Sequence, residues 1–183
     1  MPKLEGGGDV VVVEYDPSWP VRYERERASI VEALGDVMEG VAGIEHVGST
    51  AVPGLAAKPI IDIIVGLREL PVVERCVQPL ESLGYEYRGE LFPGIPGRYY
   101  FRKGNPRSHQ LHLVEHRSEF WQRHILFRDL LRKSPAVAQE YAALKKELAV
   151  QYRTDRLAYS EAKTPFIESM LAQARSAGRL THG

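Results

Sequence analysis

The 183-residue chain carries 24 basic and 24 acidic residues, so its formal net charge is zero and no overall field draws it to nucleic acid or an anionic membrane. Its one cysteine, Cys76, excludes an internal disulfide framework and a multi-cysteine zinc site and suits a reducing compartment. No stretch reaches the roughly 20 apolar residues of a membrane span, and glycines stand where a signal peptide needs an apolar run, so a cytoplasmic location is expected.

The length suits one domain over 1–183, with loose ends at 1–9 and 178–183. Residues 10–15 read as a short strand or extended arm. In Asp16-Pro17-Ser18-Trp19-Pro20 an acceptor side chain and two prolines announce a helix, expected over 20–34. Strands follow at 41–47 and 59–66, joined by a loop of Gly, Ser, Thr, Ala and Pro. A helix over 69–83 should end at Gly84, the residue suited to a left-handed C-terminal position. Strands at 85–89, 98–103 and 109–115 are separated by turns at 93–97 and 104–106. Helices are expected at 118–133, 135–152 and 160–177, with Ser118, Ser134 and Ser160 placed to cap them. The pattern is a mixed sheet flanked by helices, of α/β (α+β) class, with a helical C-terminal third.

The residues that could carry chemistry gather around HVGSTAVPGLAAKPIIDIIV, at 46–65. Gly48 permits close backbone approach, while the amides and hydroxyls of Ser49 and Thr50 can donate to phosphate oxygens. A tight connection is the plain alternative. Asp62 sits in a strand of buried type, where an ionised carboxylate needs a metal, a cation or several donors. A salt bridge to Lys58, Arg102 or Arg128 would also satisfy it. His112 shares one face of QLHLVEH with Gln110 and Val114, polar among apolar neighbours, so it is either a structural histidine or a metal ligand and proton shuttle. His46 is a further metal candidate. Lys58, Arg102 and Arg128 are the cations placed nearest, with Arg98, Arg107, Arg153 and Lys163 behind them. Trp121, Leu126, Phe127, Leu130 and Leu131 form a helix stripe that reads as packing rather than as a platform for bases.

With EYDPSWP, HVGSTAVPGLAAKPIIDI, QLHLVE, FRDLLR and LAYSEAKTPFI in view, the chain resembles the GrpB family of bacterial proteins over about 11–175. That family is assigned to the nucleotidyltransferase-like superfamily. The resemblance implies a nucleotidyltransferase-like α/β core, and it implies no reaction by itself. The superfamily places a Gly-Ser or Gly-Gly turn before a strand with two acids one residue apart, and a third acid on a later strand. Here Gly48, Ser49 and Asp62 match, Ile64 stands at the second acid, and His112 at the third.

Three readings follow. The first is a transferase that holds ATP or another nucleotide at Gly48, Ser49 and Thr50, with Lys58, Arg102 and Arg128 on its phosphates. Asp62 and His112 would then serve in catalysis or, with His46, hold one divalent ion such as Mg²⁺ or Mn²⁺. One carboxylate with one imidazole is a poor match for two magnesium ions. The second is a nucleotide- or anion-binding module without chemistry. The third is an interaction protein working through an apolar face at Tyr141, Leu144, Leu148 and Tyr152. A second acid near Asp62, Glu45 or Glu115, would favour the first. The expected partner is a small phosphate-containing ligand, with no nucleic acid and no membrane.

Overall fold

The computed structural model describes residues 9–90 and 96–180. Five strands, β1 (Val41–Val47), β2 (Ile61–Leu67), β3 (Tyr85–Glu90), β4 (Arg98–Lys103) and β5 (His109–Glu115), form one sheet in the order β1-β2-β5-β4-β3. β2 and β5 run parallel and the other neighbours antiparallel, so the sheet is mixed as expected. β1, β4 and β5 keep the bounds that their alternation predicts. β2 opens two residues late, because the ladder begins where the Ile61 N–H reaches the Ser108 carbonyl at 2.9 Å.

Among the described residues six α-helices surround the sheet: α1 (Ser18–Leu34), α2 (Val73–Ser82), α3 (Glu119–Lys133), α4 (Pro135–Gln151), α5 (Arg156–Ala162) and α6 (Thr164–Leu180). α1 begins two residues before expectation, with the Asp16 carboxylate accepting from the Ser18 amide at 2.8 Å. The expected helix over 69–83 is shorter: Leu70–Val72 is a 3₁₀ turn, and α2 proper closes at Gly84, whose φ is +86°. The arm at 10–15 makes one bridge, Val13 to Ala57.

The C-terminal third corrects two expectations. The single helix at 160–177 is two helices, because Pro165 has no N–H to continue the ladder and suits the first turn of a new helix. The cap is accordingly Asp155, which accepts from the Ala158 amide at 3.0 Å, and Ser160 lies inside α5. Ser118 caps α3 through its hydroxyl, while Ser134 stands at the start of α4 without a side-chain bond. Of the end expected to be loose at 178–183, residues 178–180 are helical. Residues 1–8, 181–183 and the 93–95 part of the expected turn lie outside the described residues.

Period-two alternation gives the sheet two unlike faces. Ile61, Ile63, Val65 and Leu67 of β2, with Leu111 and Leu113 of β5, are fully buried with Trp19, Ile30 and Leu34 of α1 and Cys76 and Leu80 of α2. On the other face Trp121 of α3 packs on Val47, Ile64 and Val114. Gly43 and Gly66 make room for that indole; a Cβ on Gly66 would stand 2.8 Å from the ring. α4 and α6 pack on α3, and the rest of this face opens as a cleft.

Candidate functional site

Asp62 leaves β2 on the face of Trp121. Parallel pairing sets it beside Gln110 and sets Ile64 beside His112, so Asp62, Gln110 and His112 share that face. Tyr100 donates its hydroxyl to Gln110 Oε1 at 2.8 Å, and Gln110 Nε2 donates to Asp62 Oδ1 at 2.9 Å. Gly48 is required twice over: its φ is +74°, and a Cβ there would stand 2.5 Å from Asp62 Oδ2. The Gly48-Ser49-Thr50 turn, Asp62 and His112 line one cavity of about 320 Å³, bordered by α3, α4, α5 and α6.

Three lysines converge on it. Lys58 precedes β2, Lys145 comes from α4, and Lys163 lies at the junction of α5 and α6. Lys58 and Lys163 share the Tyr159 ring, at 5.0 and 4.5 Å from its centre. Lys145 is 2% exposed, reaches Ser49 Oγ at 2.9 Å, bonds the Ala56 carbonyl and lies over Tyr141. Against them, among the described residues, stands one carboxylate, Asp62. Burial pushes Asp62 up to about 6, opposed by Lys58 and Lys163. Burial and mutual repulsion pull Lys145 down to about 7, and burial with repulsion from Lys58 takes Lys163 down to about 8. Lys58 is lowered by burial in the same way.

The imidazoles contribute differently. Burial, Arg98 and His124 hold His112 well below the ordinary histidine range, and burial takes His124 down to about 4. His112 accepts from Arg98 Nε at 3.4 Å and stacks on Tyr100, a neutral wall rather than a charged group. Adjacent strand positions point to opposite faces, so His46, paired with Ile63, points away from the cleft. It stacks on Tyr23 of α1 and meets Thr50 Oγ1 at 2.9 Å, which removes it from any metal set with Asp62. The Thr50 hydroxyl also donates to the Ile60 carbonyl.

Of the expected arginines, Arg98 lines the cavity beside His112, and Arg128, Arg102 and Arg153 are held by carboxylates. Arg128 borders the cavity but pairs with Glu45 at 2.7 Å and Asp129 at 2.8 Å. Arg102 pairs with Glu86 at 2.6 Å and lies outside the cavity lining. Arg153 pairs with Asp9, far along the surface arm.

The residues do not fit a two-metal site. Ile64 occupies the second-acid position, Glu45 is held by Arg128, and Glu115 is exposed on the other face of β5. Among the described residues no three His, Cys, Asp or Glu side chains are grouped to hold a metal ion. The apolar interaction face is also absent: Tyr141 and Leu148 are buried, and Leu144 and Tyr152 pack against buried residues. Among the described residues no helix is long and apolar enough to cross a membrane.

Sequence reading missed Lys145, since a lysine within a charged helix reads as solvent-facing; only its proximity to Leu144 and Leu148 placed it near a packed stripe.

The family profile described as GrpB protein matches residues 9–173. A UPF0157 protein of Pseudomonas aeruginosa is 42% identical over 93% of this chain and 69% of its own length. UPF0157 protein YqkA of Bacillus subtilis is 36% identical over 91% of this chain, which spans 47% of that relative. The crystal structure of conserved protein GrpB from Enterococcus faecalis superposes with a TM-score of 0.81 at 38% identity, over 90% of this chain and 96% of that one. At 14% identity the fold is shared with Cid1 poly(U) polymerase, MgGTP bound (TM-score 0.55, 75% of this chain and 44% of that one). It is shared likewise with the GLD-2/RNP-8 complex (TM-score 0.56, 84% and 60%). The core is thus nucleotidyltransferase-like, and the chain belongs to the GrpB family.

Proposed function

We propose that the cleft binds a small phosphate-containing ligand, a nucleotide foremost, with lysine ammoniums doing the charge neutralisation that paired metal ions perform elsewhere on this fold. The observation that carries this reading is the convergence of Lys58, Lys145 and Lys163 with the Ser49 turn on a cavity holding one carboxylate. Among the described residues no ion pair closes on any of the three, so the charge of Lys58 and Lys163 is available to an anion. A cavity of about 320 Å³ lies at the lower end of the range for small-molecule sites. Overall neutrality confines the attraction to the cleft, which favours a small anion over a nucleic acid.

Group transfer on that ligand is the second reading. It is favoured by Asp62, a carboxylate kept in a buried-type strand beside a position that only glycine fills. One divalent ion at Asp62 and His112 would belong to this reading alone.

A thermal-shift panel of nucleoside triphosphates, pyrophosphate and adenosine, each with EDTA, Mg²⁺ or Mn²⁺, separates the outcomes. A ligand at 100 times its dissociation constant stabilises by about 2.7 kcal/mol. Triphosphates and pyrophosphate should stabilise the protein even in EDTA, adenosine should not, and Lys163→Met should at least roughly halve the effect. Indifference to every phosphate compound would end the reading.

A further inference from the structure

We propose that Ser49 is a nucleophile and Lys145 its general base, serving transfer of a phosphoryl group from a phosphate ester or anhydride onto the Ser49 hydroxyl. The inference rests on the phosphate-ligand reading of the same cavity and assigns it a reaction.

The geometry is that of an activated hydroxyl. Gly48 turns the chain sharply out of β1, and Ser49 opens the short 3₁₀ turn Ser49–Ala51 at the cavity wall. Lys145 arrives from 96 residues along the chain, with Nζ 2.9 Å from Ser49 Oγ. A neutral amine has N–H groups to donate and one lone pair to accept. As an ammonium Lys145 donates to both the Ala56 carbonyl and Ser49 Oγ; once it loses a proton it keeps an N–H for the carbonyl and turns a lone pair to the serine O–H, whose other partner is the Tyr141 phenol.

Nothing around Lys145 stabilises a permanent ammonium. Among the described residues no carboxylate pairs with it, unlike its helix neighbour Lys146, which pairs with Glu14 at 2.6 Å. Lys58 and Lys163 repel it across the cavity and Lys146 along the helix, while the nearby phenol of Tyr141 is pushed up by burial and stays neutral. Burial and these cations leave Lys145 with a pKa of about 7, where a base is most effective at neutral pH.

In the step, Ser49 Oγ attacks phosphorus and its proton passes to Lys145 Nζ. The Oγ–P bond forms as the bond from phosphorus to the leaving oxygen breaks, and the leaving group departs with the electron pair. From a nucleoside triphosphate the products are phosphoserine, the nucleoside diphosphate and a protonated Lys145, with charge conserved. Lys58 and Lys163 supply positive charge to the non-bridging oxygens.

The test treats the full chain with a fluorophosphonate, which phosphonylates an activated hydroxyl and releases fluoride. Peptide mass spectrometry should find the adduct on Ser49 and none in Ser49→Ala. The rate should be about tenfold higher at pH 8 than at pH 6, following the neutral fraction of Lys145. It should fall at least about a hundredfold in Lys145→Arg, which keeps a cation and its donors but is no base in this range. No adduct, an adduct elsewhere, or a rate indifferent to pH from 6 to 8 overturns the dyad, and that profile needs no variant to fold. Pyrophosphate should slow labelling. Labelling that pyrophosphate leaves unchanged supports the nucleophile and removes the phosphate-ligand reading, whereas pyrophosphate binding without labelling removes the nucleophile alone.

Discussion

The two faces of β2 are made by alternate residues of one strand, yet they follow opposite rules. Ile61, Ile63, Val65 and Leu67 are wholly buried under α1 and α2, each contributing about 1.5–3 kcal/mol of apolar burial. On the other face Asp62 is half-buried, Ile64 and Gly66 are covered by Trp121, and the lysines stand opposite. The first face is closed and uncharged. The second is half closed and holds like charges at close quarters, an arrangement that weakens the empty protein and whose repulsion a bound anion would relieve. Stability and binding are thus separable by residue parity along β2, and substitutions on the two faces should have distinct signatures.

The largest effect is expected on the closed face. Ile63→Ala should lower unfolding free energy by about 2–5 kcal/mol in chemical denaturation, leaving phosphate affinity of the folded protein unchanged. Gly66→Ala tests the covered half of the cleft face. Its methyl group would press on the Trp121 ring, at a cost of about 1–3 kcal/mol, again without loss of binding.

Asp62→Asn should have the opposite sign. The folded pKa of Asp62 is about 6, above its ordinary 3.8, so the folded state favours the protonated acid. That contribution is complete below pH 4 and is lost as pH rises through 6. Above pH 6 the Asn variant should therefore be the more stable by about 3 kcal/mol, the two should match below pH 4, and any group transfer in the cleft should cease.

A pH dependence of the opposite direction belongs to Lys145. With its pKa pulled from 10.5 down to about 7, the folded state binds fewer protons than the unfolded chain between those values. The unliganded protein should gain stability as pH rises across that window, and Lys145→Met should flatten the gain. Denaturation midpoints at pH 7, 8.5 and 10 decide it.

How legible this was in the sequence follows the range of each interaction. β1, β4 and β5 were readable because strand alternation is local, and Ser118 because its cap bond spans three residues. The break between α5 and α6 was signalled by Pro165 but masked by apolar periodicity that continues on both sides. Asp62 and the Gly48 turn were legible since a carboxylate and a glycine are conspicuous in such surroundings. His46 was misplaced by nearness in sequence to the turn, although the same alternation that aims Val47 at the cleft aims His46 at α1. Lys145 could not be found, because only the packing of α4 on the sheet's turn makes it a partner of Ser49.

The central claim, that lysines make the cleft a phosphate site, is tested most directly by isothermal titration of pyrophosphate in EDTA, at pH 7.5, in two buffers of different ionisation enthalpy. The account predicts saturable binding with proton uptake, as Lys163 becomes fully charged against the ligand, and at least about tenfold weaker binding in Lys163→Met, the loss of roughly 1.4 kcal/mol. Binding that is absent, that takes up no proton, or that persists unchanged in Lys163→Met would contradict it.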